Sequence, residues 1–590
     1  NIGVSSFGTV TSKPVLRGYS GDRFLLTKDG SKTGDLSTSS IDHAIALDMA
    51  EVNEIEVVRG PKALLYGSNP IGGVINAGII GNPKTRVDKL FKKMLLGGES
   101  FNKGIYGNLI LYIPIENNQI NILLSNRETD NQETPIGTLD NSYSKQSNYK
   151  VGFTKYYSHS YINLIIENFN LDYGIPPSLE GHINGVDIEL IKNTIQLNYH
   201  QDLSFFKFNQ LEMNYNFIHY IHKEFENNLD YSQVELGKNT HNFKIEIQSY
   251  NLIIGSELNY KQFLPGGLYF TPKTDEWDLS LYGFNEIEFN QFDLLGSFRL
   301  GSLSIKLKEK NLQFLNLDNA SVKDRNFNYI SFSMGLRKVF NKFEIKSWFM
   351  NTMKAPQIEE LYSDGPHLGS YSYEIGEPNL SLEKIYGFES SIRYTSSPIT
   401  MGLTTFYNYS PYYYQMTKIG ECPELNLQEC LENGFIQAGV GSSGWLYRYQ
   451  TRGVESLIRG LEYNLTYDYR RFRVRYDFSL VRADNLTSGF PLPYINPDKQ
   501  ILNIDYKKNI IKYNIRFSKI HSQNRLGEFE SYTPSTLLID LNLSAQFSNN
   551  NITFQINNIL DKTYFNHLSK IKAISPEAGR SVAISYKVLL

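Results

Sequence analysis

Along most of the chain, polar and apolar residues take turns. In "TLLIDLNLSAQF", Leu537, Ile539, Leu541, Leu543, Ala545 and Phe547 share one face of an extended segment, while Leu538, Asp540, Asn542, Ser544 and Gln546 share the other. The same two-residue period runs through "YNIRFSKI" from Tyr513, "SYINLIIENFNLDYG" from Ser160, and the closing "SVAISYKVLL", where Val582, Ile584, Tyr586, Val588 and Leu590 line up. Long helical spacing is absent. The pattern predicts strand after strand, each with one greasy and one wet face. A soluble sandwich of this length would split into several domains joined by Pro-, Gly- or Ser-rich linkers, and the sequence has none.

A single closed barrel fits better: apolar residues face lipid, polar residues line a wide lumen, and closure leaves no unpaired edge. Residues 81–590 suffice for about 22 tilted strands of roughly ten residues each. A lumen that wide leaks unless it is filled. Residues 1–80 have a different texture, with short apolar strands ("RFLLTKDG", "EIEVVRG", "GGVINAGII") joined by Gly-rich turns. The expected architecture is therefore an all-β membrane protein: a 22-stranded transmembrane β-barrel over 81–590 with an N-terminal plug domain, 1–80, inside its lumen.

Composition narrows the function. The 590 residues carry a net charge of -3, with 41 Tyr and 35 Phe against 3 Trp. That is β-protein chemistry, and no apolar run reaches the roughly 18 residues that a spanning helix requires. Nucleic acid is excluded as a partner, since the one basic stretch, "KKNIIKYNIRFSKIHSQNR", alternates like a strand. An enzyme is not expected either: there is no nucleophile elbow, HExxH, Walker loop or dinucleotide fingerprint. The two cysteines, Cys422 and Cys430, bracket "PELNLQE" with Glu421, Glu424, Glu429 and Glu432 nearby. A local disulfide is the favoured reading and a thiolate metal site the weaker one. Asn1 opens without a charged or apolar leader, so the chain reads as mature or truncated.

"VLRGYSGDRFLLTKDG", "IEVVRGPKALLYGSNPIGGVINAG" and "INNILDKTYFNHLSKIKAISPEAGRSVAISY" closely resemble the plug and last-strand signatures of TonB-dependent outer-membrane receptors. This resemblance implies the outer membrane of a Gram-negative bacterium and energised import of a small nutrient ligand. The implied partners are TonB with its inner-membrane energising complex and outer-membrane lipid. Four further segments, "SSIDHAIALDMAEVNEIEVVRGPKALLYGS", "YGIPPSLEGHINGVDIEL", "APQIEELYSDGPHLGSYSYEIGEPNLSLEK" and "HSQNRLGEFESYTP", resemble the ZnuD-type zinc receptor branch. Zinc, or another divalent metal, is the implied cargo, with no resident cofactor. A siderophore, haem or other organic chelate is the rival cargo, and a passive or structural barrel in an envelope assembly the rival class. Three departures from the family stand out. Its coupling segment and about a third of the plug fall outside this sequence, only His182 remains where such zinc receptors carry a His-rich loop, and the chain ends in Leu590 instead of an aromatic.

The resemblance matches Asp42 and His43 to a zinc-binding plug position, in a loop expected to be exposed, and His367 to a second position on the barrel. One carboxylate and two imidazoles suit a borderline metal. Another carboxylate, Glu224 or Glu374, or a water completes the set, and His182 with His222 forms a weaker entry site. His159, His200, His219, His241, His521 and His567 are expected to be ordinary barrel or loop residues, with His567 ordering the final turn. Arg17 and Arg59, each preceding a glycine, need luminal carboxylates, for which Glu389 and Glu462 stand at inward positions. These pairs are expected to anchor the plug.

Overall fold

The computed structural model describes residues 2–79, 86–177, 182–205, 207–226, 229–267, 270–309, 315–367, 372–422, 426–440, 444–528 and 530–590. The alternating segments form one antiparallel wall from Phe91–Glu99 to Ser581–Leu589, and these two strands pair with each other. No edge is left open to template pairing with another chain. Three short strands, Asp364–His367, Ser372–Ile375 and Ile436–Ala438, belong to loops. Their flanking strands pair directly, Phe343–Lys354 with Glu383–Ser396 and Ile399–Lys418 with Trp445–Tyr469, so the wall is the expected 22-stranded barrel.

One rim is made of tight turns. Glu116, Asn341, Arg470, Asn509 and Ser548 have φ between 49° and 54°, each opening a two-residue hairpin. Such hairpins demand left-handed residues because their twist must match that of the strands. The other rim carries the long connections, including 355–382 and 419–444.

The alternation read in the sequence sorts the wall as expected. On Ser160–Ile175, Ile162, Leu164 and Ile166 are exposed on the outside, next to Tyr149, Val151 and Phe153 of Ser144–Tyr156. Burial belongs to the other face, where Asn148, Lys150, Asn163 and Glu167 turn inward. A greasy exterior around a polar lumen is the arrangement that lipid requires.

The lumen is filled by residues of the N-terminal segment. Ser31–Lys32, Leu25–Lys28, Val74–Ile79 and Val52–Val58 form a four-stranded sheet in that order, with Leu25–Lys28 parallel to Val74–Ile79. A short 3₁₀ turn, Pro61–Leu65, docks on the wall: the guanidinium of Arg299, 2% exposed, donates to the Leu64 and Leu65 carbonyls at 3.3 and 3.4 Å. Gly60 before it has φ 70°, and a Cβ there would stand 3.1 Å from the Trp348 ring. Only glycine meets both constraints. The expected domain boundary at residue 80 lies outside the described residues.

Candidate metal site between plug and barrel

Residues 33–51 link two strands of the plug sheet through turns and bends alone. The Asp35 carboxylate folds this segment back on itself by accepting from the backbone of Ser37 at 3.1 Å and of Ala46 at 3.0 Å. The wall then holds it by its backbone. Lys238 donates to the Asp35 carbonyl and Lys192 to the Ala46 carbonyl, each at 2.5 Å. The Tyr173 hydroxyl donates to the Asp42 carbonyl at 3.0 Å and accepts from Ala44 N–H at 3.1 Å. Asp42 and His43 are therefore buried, at 6% and 3% exposure. The expectation of an exposed loop is corrected: a polar lumen supplies partners that let an irregular segment be buried.

Adjacent in sequence, Asp42 and His43 face different partners. Asp42 accepts from the Ser40 hydroxyl and lies 3.5 Å from His367 Nε2, while His367 Nδ1 is 2.9 Å from Glu374 Oε1. His43 Nε2 is 3.6 Å from Glu224 Oε1, the same oxygen that lies 3.1 Å from His222 Nε2, and the two imidazole centroids are 4.3 Å apart. One ligand atom from each of His43, His222 and Glu224 falls within 4.8 Å of the others. The Leu36 carbonyl, 3.2 Å from His43 Nδ1, can only accept, so it places the proton there and leaves Nε2 as a lone pair toward the cluster. His222 Nδ1 is buried without a hydrogen-bond partner. Two imidazoles and a carboxylate suit zinc, whose tetrahedral ligands sit about 3.3 Å apart. The triad, with its ligand atoms within 4.8 Å of one another, stands somewhat wider than that.

The expected residues thus separate into two adjoining groups. Asp42, His367 and Glu374 join the plug to the strands Asp364–His367 and Ser372–Ile375, whereas His43 meets His222 and Glu224 on the barrel strand Phe208–Glu226. The structure does not group His182 with His222: His182 Nδ1 lies 3.5 Å from Glu226 Oε2. Burial pushes the Asp42 carboxyl up, but the His367 hydrogen bond and charge, with His43 and Ser40, outweigh it and hold it well below the usual range. Burial likewise lowers His367, and the Glu374 charge with Asp42 lifts it well above an ordinary imidazole. An imidazolium between two carboxylates ties the external loop to the plug.

Beneath this region lie the arginines. Leu16 and Tyr19 exchange backbone hydrogen bonds of 3.0 and 2.8 Å around Arg17 and Gly18, whose φ values of 53° and 83° make a hairpin tip. That tip pushes the Arg17 guanidinium between Glu389 and Glu462, 2.8 Å from the latter, and over the Phe406 ring at 4.3 Å. Arg59 donates to Glu462 at 2.9 Å.

Sequence reasoning missed other ionic groups. Lys28 bridges Glu51 and Glu167, with Glu51 also paired to Lys150, and Arg23 pairs with Glu383 at 2.9 Å. The available signal was charge at inward positions: Lys150 in "SKQSNYKVGFTKY" and Glu167 in "SYINLIIENFNLDYG" fall on the luminal parity of their strands. Cys422 and Cys430 are joined in a disulfide around the helix Leu427–Glu432, packed on Ile436; Glu424 lies outside the described residues. Mass mapping of protein taken from the membrane without reductant should find this pair oxidised. Two free thiols would show that the loop closes without it.

Above the site opens a cavity of about 980 Å³, lined among others by Lys13, Arg23, His367, Tyr413, Tyr447 and Tyr494. Burial, only partly offset by Asp42 and Asp35, pulls the Lys13 ammonium down to about 8.

A plug in a closed barrel, with ionisable groups gathered at the seam, has a counterpart among known families. Residues 1–74 match the TonB-dependent receptor plug domain, and residues 95–559 match the TonB-dependent receptor-like β-barrel. The chain belongs to the TonB-dependent receptors. Proteins of this family are receptors and transporters of the Gram-negative outer membrane. A hemin receptor of Yersinia enterocolitica is 42% identical over 79 residues, 12% of this chain and 10% of that protein. The alignment thus spans about a tenth of that relative. The copper transporter OprC superposes with a TM-score of 0.84 at 14% identity, covering 100% of this chain and 96% of its own. An FrpB iron transporter from Neisseria meningitidis gives 0.76 at 12% identity, covering 100% and 95%. At such identities the likeness concerns the fold of the receptor; neither neighbour singles out the zinc branch.

Proposed function

We propose that the receptor imports zinc, with residues 1–80 as the plug and 81–590 as the barrel, driven by TonB and its inner-membrane energising complex. One observation carries the reading: His43, His222 and Glu224 bring two imidazoles and a carboxylate together across the plug–barrel seam, the histidines buried and the carboxylate half-buried, with ligand atoms within 4.8 Å. A site shared by a moving and a fixed part binds when the seam is closed and loses ligands when the plug is pulled. Binding alone cannot pump, so the energised movement is what releases the ion. The adjoining Asp42, His367 and Glu374 close an external loop over it.

A second reading has its own support. The tyrosine-lined cavity above the site is of the size that takes an organic ligand, and the local likeness to a hemin receptor points the same way. In that case cargo arrives with its own metal ligands, and aromatic contacts outweigh imidazoles.

Titration of the purified receptor with zinc, copper(II), hemin and a ferric catecholate, alongside uptake by cells, separates the two. Saturable, one-to-one zinc binding without a chelator supports the first. Tight binding of a chelate with no affinity for free zinc replaces it with the second.

A further inference from the structure

The segment that carries Asp42 and His43 also closes the space below them. Strand Phe208–Glu226 presents its even-numbered residues inward, so one face runs from Glu224 and His222 down through Tyr220, Ile218, Asn216 and Asn214 to Glu212. From 222 to 212 the strand covers roughly 33 Å at about 3.3 Å per residue. Three contacts shut this face. Leu36, Ala44 and Ala46 of the plug share one buried apolar cluster with Tyr173, Ile188 and Tyr220 of the wall. Gly34, at φ 74°, lies so close to Ile218 that an added Cβ would come 2.5 Å from its Cδ1. Asn216 donates to the Ser31 hydroxyl at 3.2 Å. Below them a cavity of about 360 Å³ is already open, lined by Asp29 and Gly30 of the plug and by Asn198, Glu212, Asn214 and Glu246 of the wall.

We propose that cargo leaves the metal site down the inner face of strand Phe208–Glu226 when plug residues 33–50 peel from the wall, passing the Ile218–Gly34 constriction into this polar cavity. The inference rests on the zinc reading for its starting point and on the packing for its path. The fastenings differ in kind along the plug. Residues 17, 23, 28, 51 and 59 are held by ion pairs to the barrel, Glu462 and Glu383 among them. Residues 33–50, apart from the metal-site side chains, are held mainly by their backbone, through the carbonyls of Asp35, Asp42 and Ala46 and the Ala44 N–H, with the Asp48 carboxylate accepting from Asn148 at 3.4 Å. Detaching this segment breaks one ion pair to the barrel, Asp42 with His367, and frees Lys192 and Lys238 from carbonyls, whereas several ion pairs fasten the stretches on either side. Its departure removes His43 from His222 and Glu224 and uncovers Ile218 in a single movement.

The geometry offers a lock. A Cβ built on Gly34 lies 3.5 Å from Ile218 Cβ, within the range of about 3.5–4.5 Å that a disulfide spans. Gly34→Cys/Ile218→Cys, oxidised, should bind zinc as the reduced form does and lose at least ten-fold in uptake, recovering with reductant. The parent given the same reductant controls for Cys422–Cys430. Equal uptake in both redox states overturns the proposed path and leaves the metal site standing, whereas loss of zinc binding in the parent removes the zinc reading instead. A second measurement needs no zinc. Ile218→Ala/Tyr220→Ala should raise the ion conductance of the receptor in a planar bilayer several-fold, and conductance equal to the parent's overturns the path whatever the cargo.

Discussion

His43→Ala and His222→Ala should each weaken zinc binding by at least about 100-fold, more than is usual for a residue that only orients a ligand. His367→Ala should weaken it by about ten-fold, the lower end of that range. The ranking follows from the geometry. His43 and His222 aim at one Glu224 oxygen from 3.6 and 3.1 Å, whereas both nitrogens of His367 are engaged elsewhere, with Glu374 and with Asp42 and Ser40. Affinity should fall as the medium is acidified, because imidazole binds metal only when neutral. The loop tie has the opposite sign on its histidine side. His367 is raised, so its contribution is complete below the ordinary imidazole value and is lost only as pH climbs through the folded one. Asp42 is depressed, so its share is present above the ordinary carboxyl value and is lost as pH falls through the folded one. Around neutrality both charges stand, and the tie holds while the seam is closed. Isothermal titration of the three variants at neutral and mildly acidic pH reads both effects. If His367→Ala proves as damaging as His43→Ala and His222→Ala is harmless, the ion belongs with Asp42, His367 and Glu374.

The barrel was legible because lipid imposes a two-residue period along most of the wall, interrupted at bulges such as those near Asp202, Lys384 and Ser410. Leu537, Ile539 and Leu541 announce a face without any tertiary information. The plug sheet was legible for a related reason, its strands being short apolar runs cut by glycine. The site was legible only in part. Asp42, His43 and His367 came from likeness to a family, and Glu224 from its charge, but which atoms meet depends on how an irregular segment lies against the wall. That lie is set by Asp35 turning back on Ser37 and Ala46 and by Lys192, Lys238 and Tyr173 reaching across 131 to 203 positions of sequence. No local pattern encodes such pairings. His222 shows the limit best. Sequence placed it in a peripheral entry site, whereas its inward parity on Phe208–Glu226 puts it beside His43. Parity was available from the alternation; the depth at which the plug loop would meet that strand was not.

Arg17→Ala should leave the barrel folded and the plug poorly seated, at a cost of about 3–5 kcal/mol, the range for removing one partner of a buried ion pair. Arg17 has a side-chain exposure of 4%, and its two carboxylates, Glu389 and Glu462, have 10% and 17%. Its loss leaves Glu389 without its plug cation and Glu462 with Arg59 alone, beside the Phe406 ring that the guanidinium covers. Arg59→Ala removes less, because Arg59 is 25% exposed and Glu462 keeps Arg17. Lysine at position 17 should rescue little: an ammonium is one point charge, whereas the guanidinium serves two carboxylates at once. Conductance in planar bilayers, with sensitivity of cells to a large antibiotic, measures the seating of the plug directly. The expected order of leakage is Arg17→Ala, then Arg17→Lys, then Arg59→Ala, then the parent. Conductance of Arg17→Ala equal to that of the parent would mean that the remaining plug–barrel pairs, Arg59 with Glu462, Arg23 with Glu383, Lys28 with Glu167, Glu51 with Lys150 and Asp22 with Lys354 among them, hold the plug without Arg17, and that the hairpin tip at Arg17 and Gly18 serves some purpose other than anchoring.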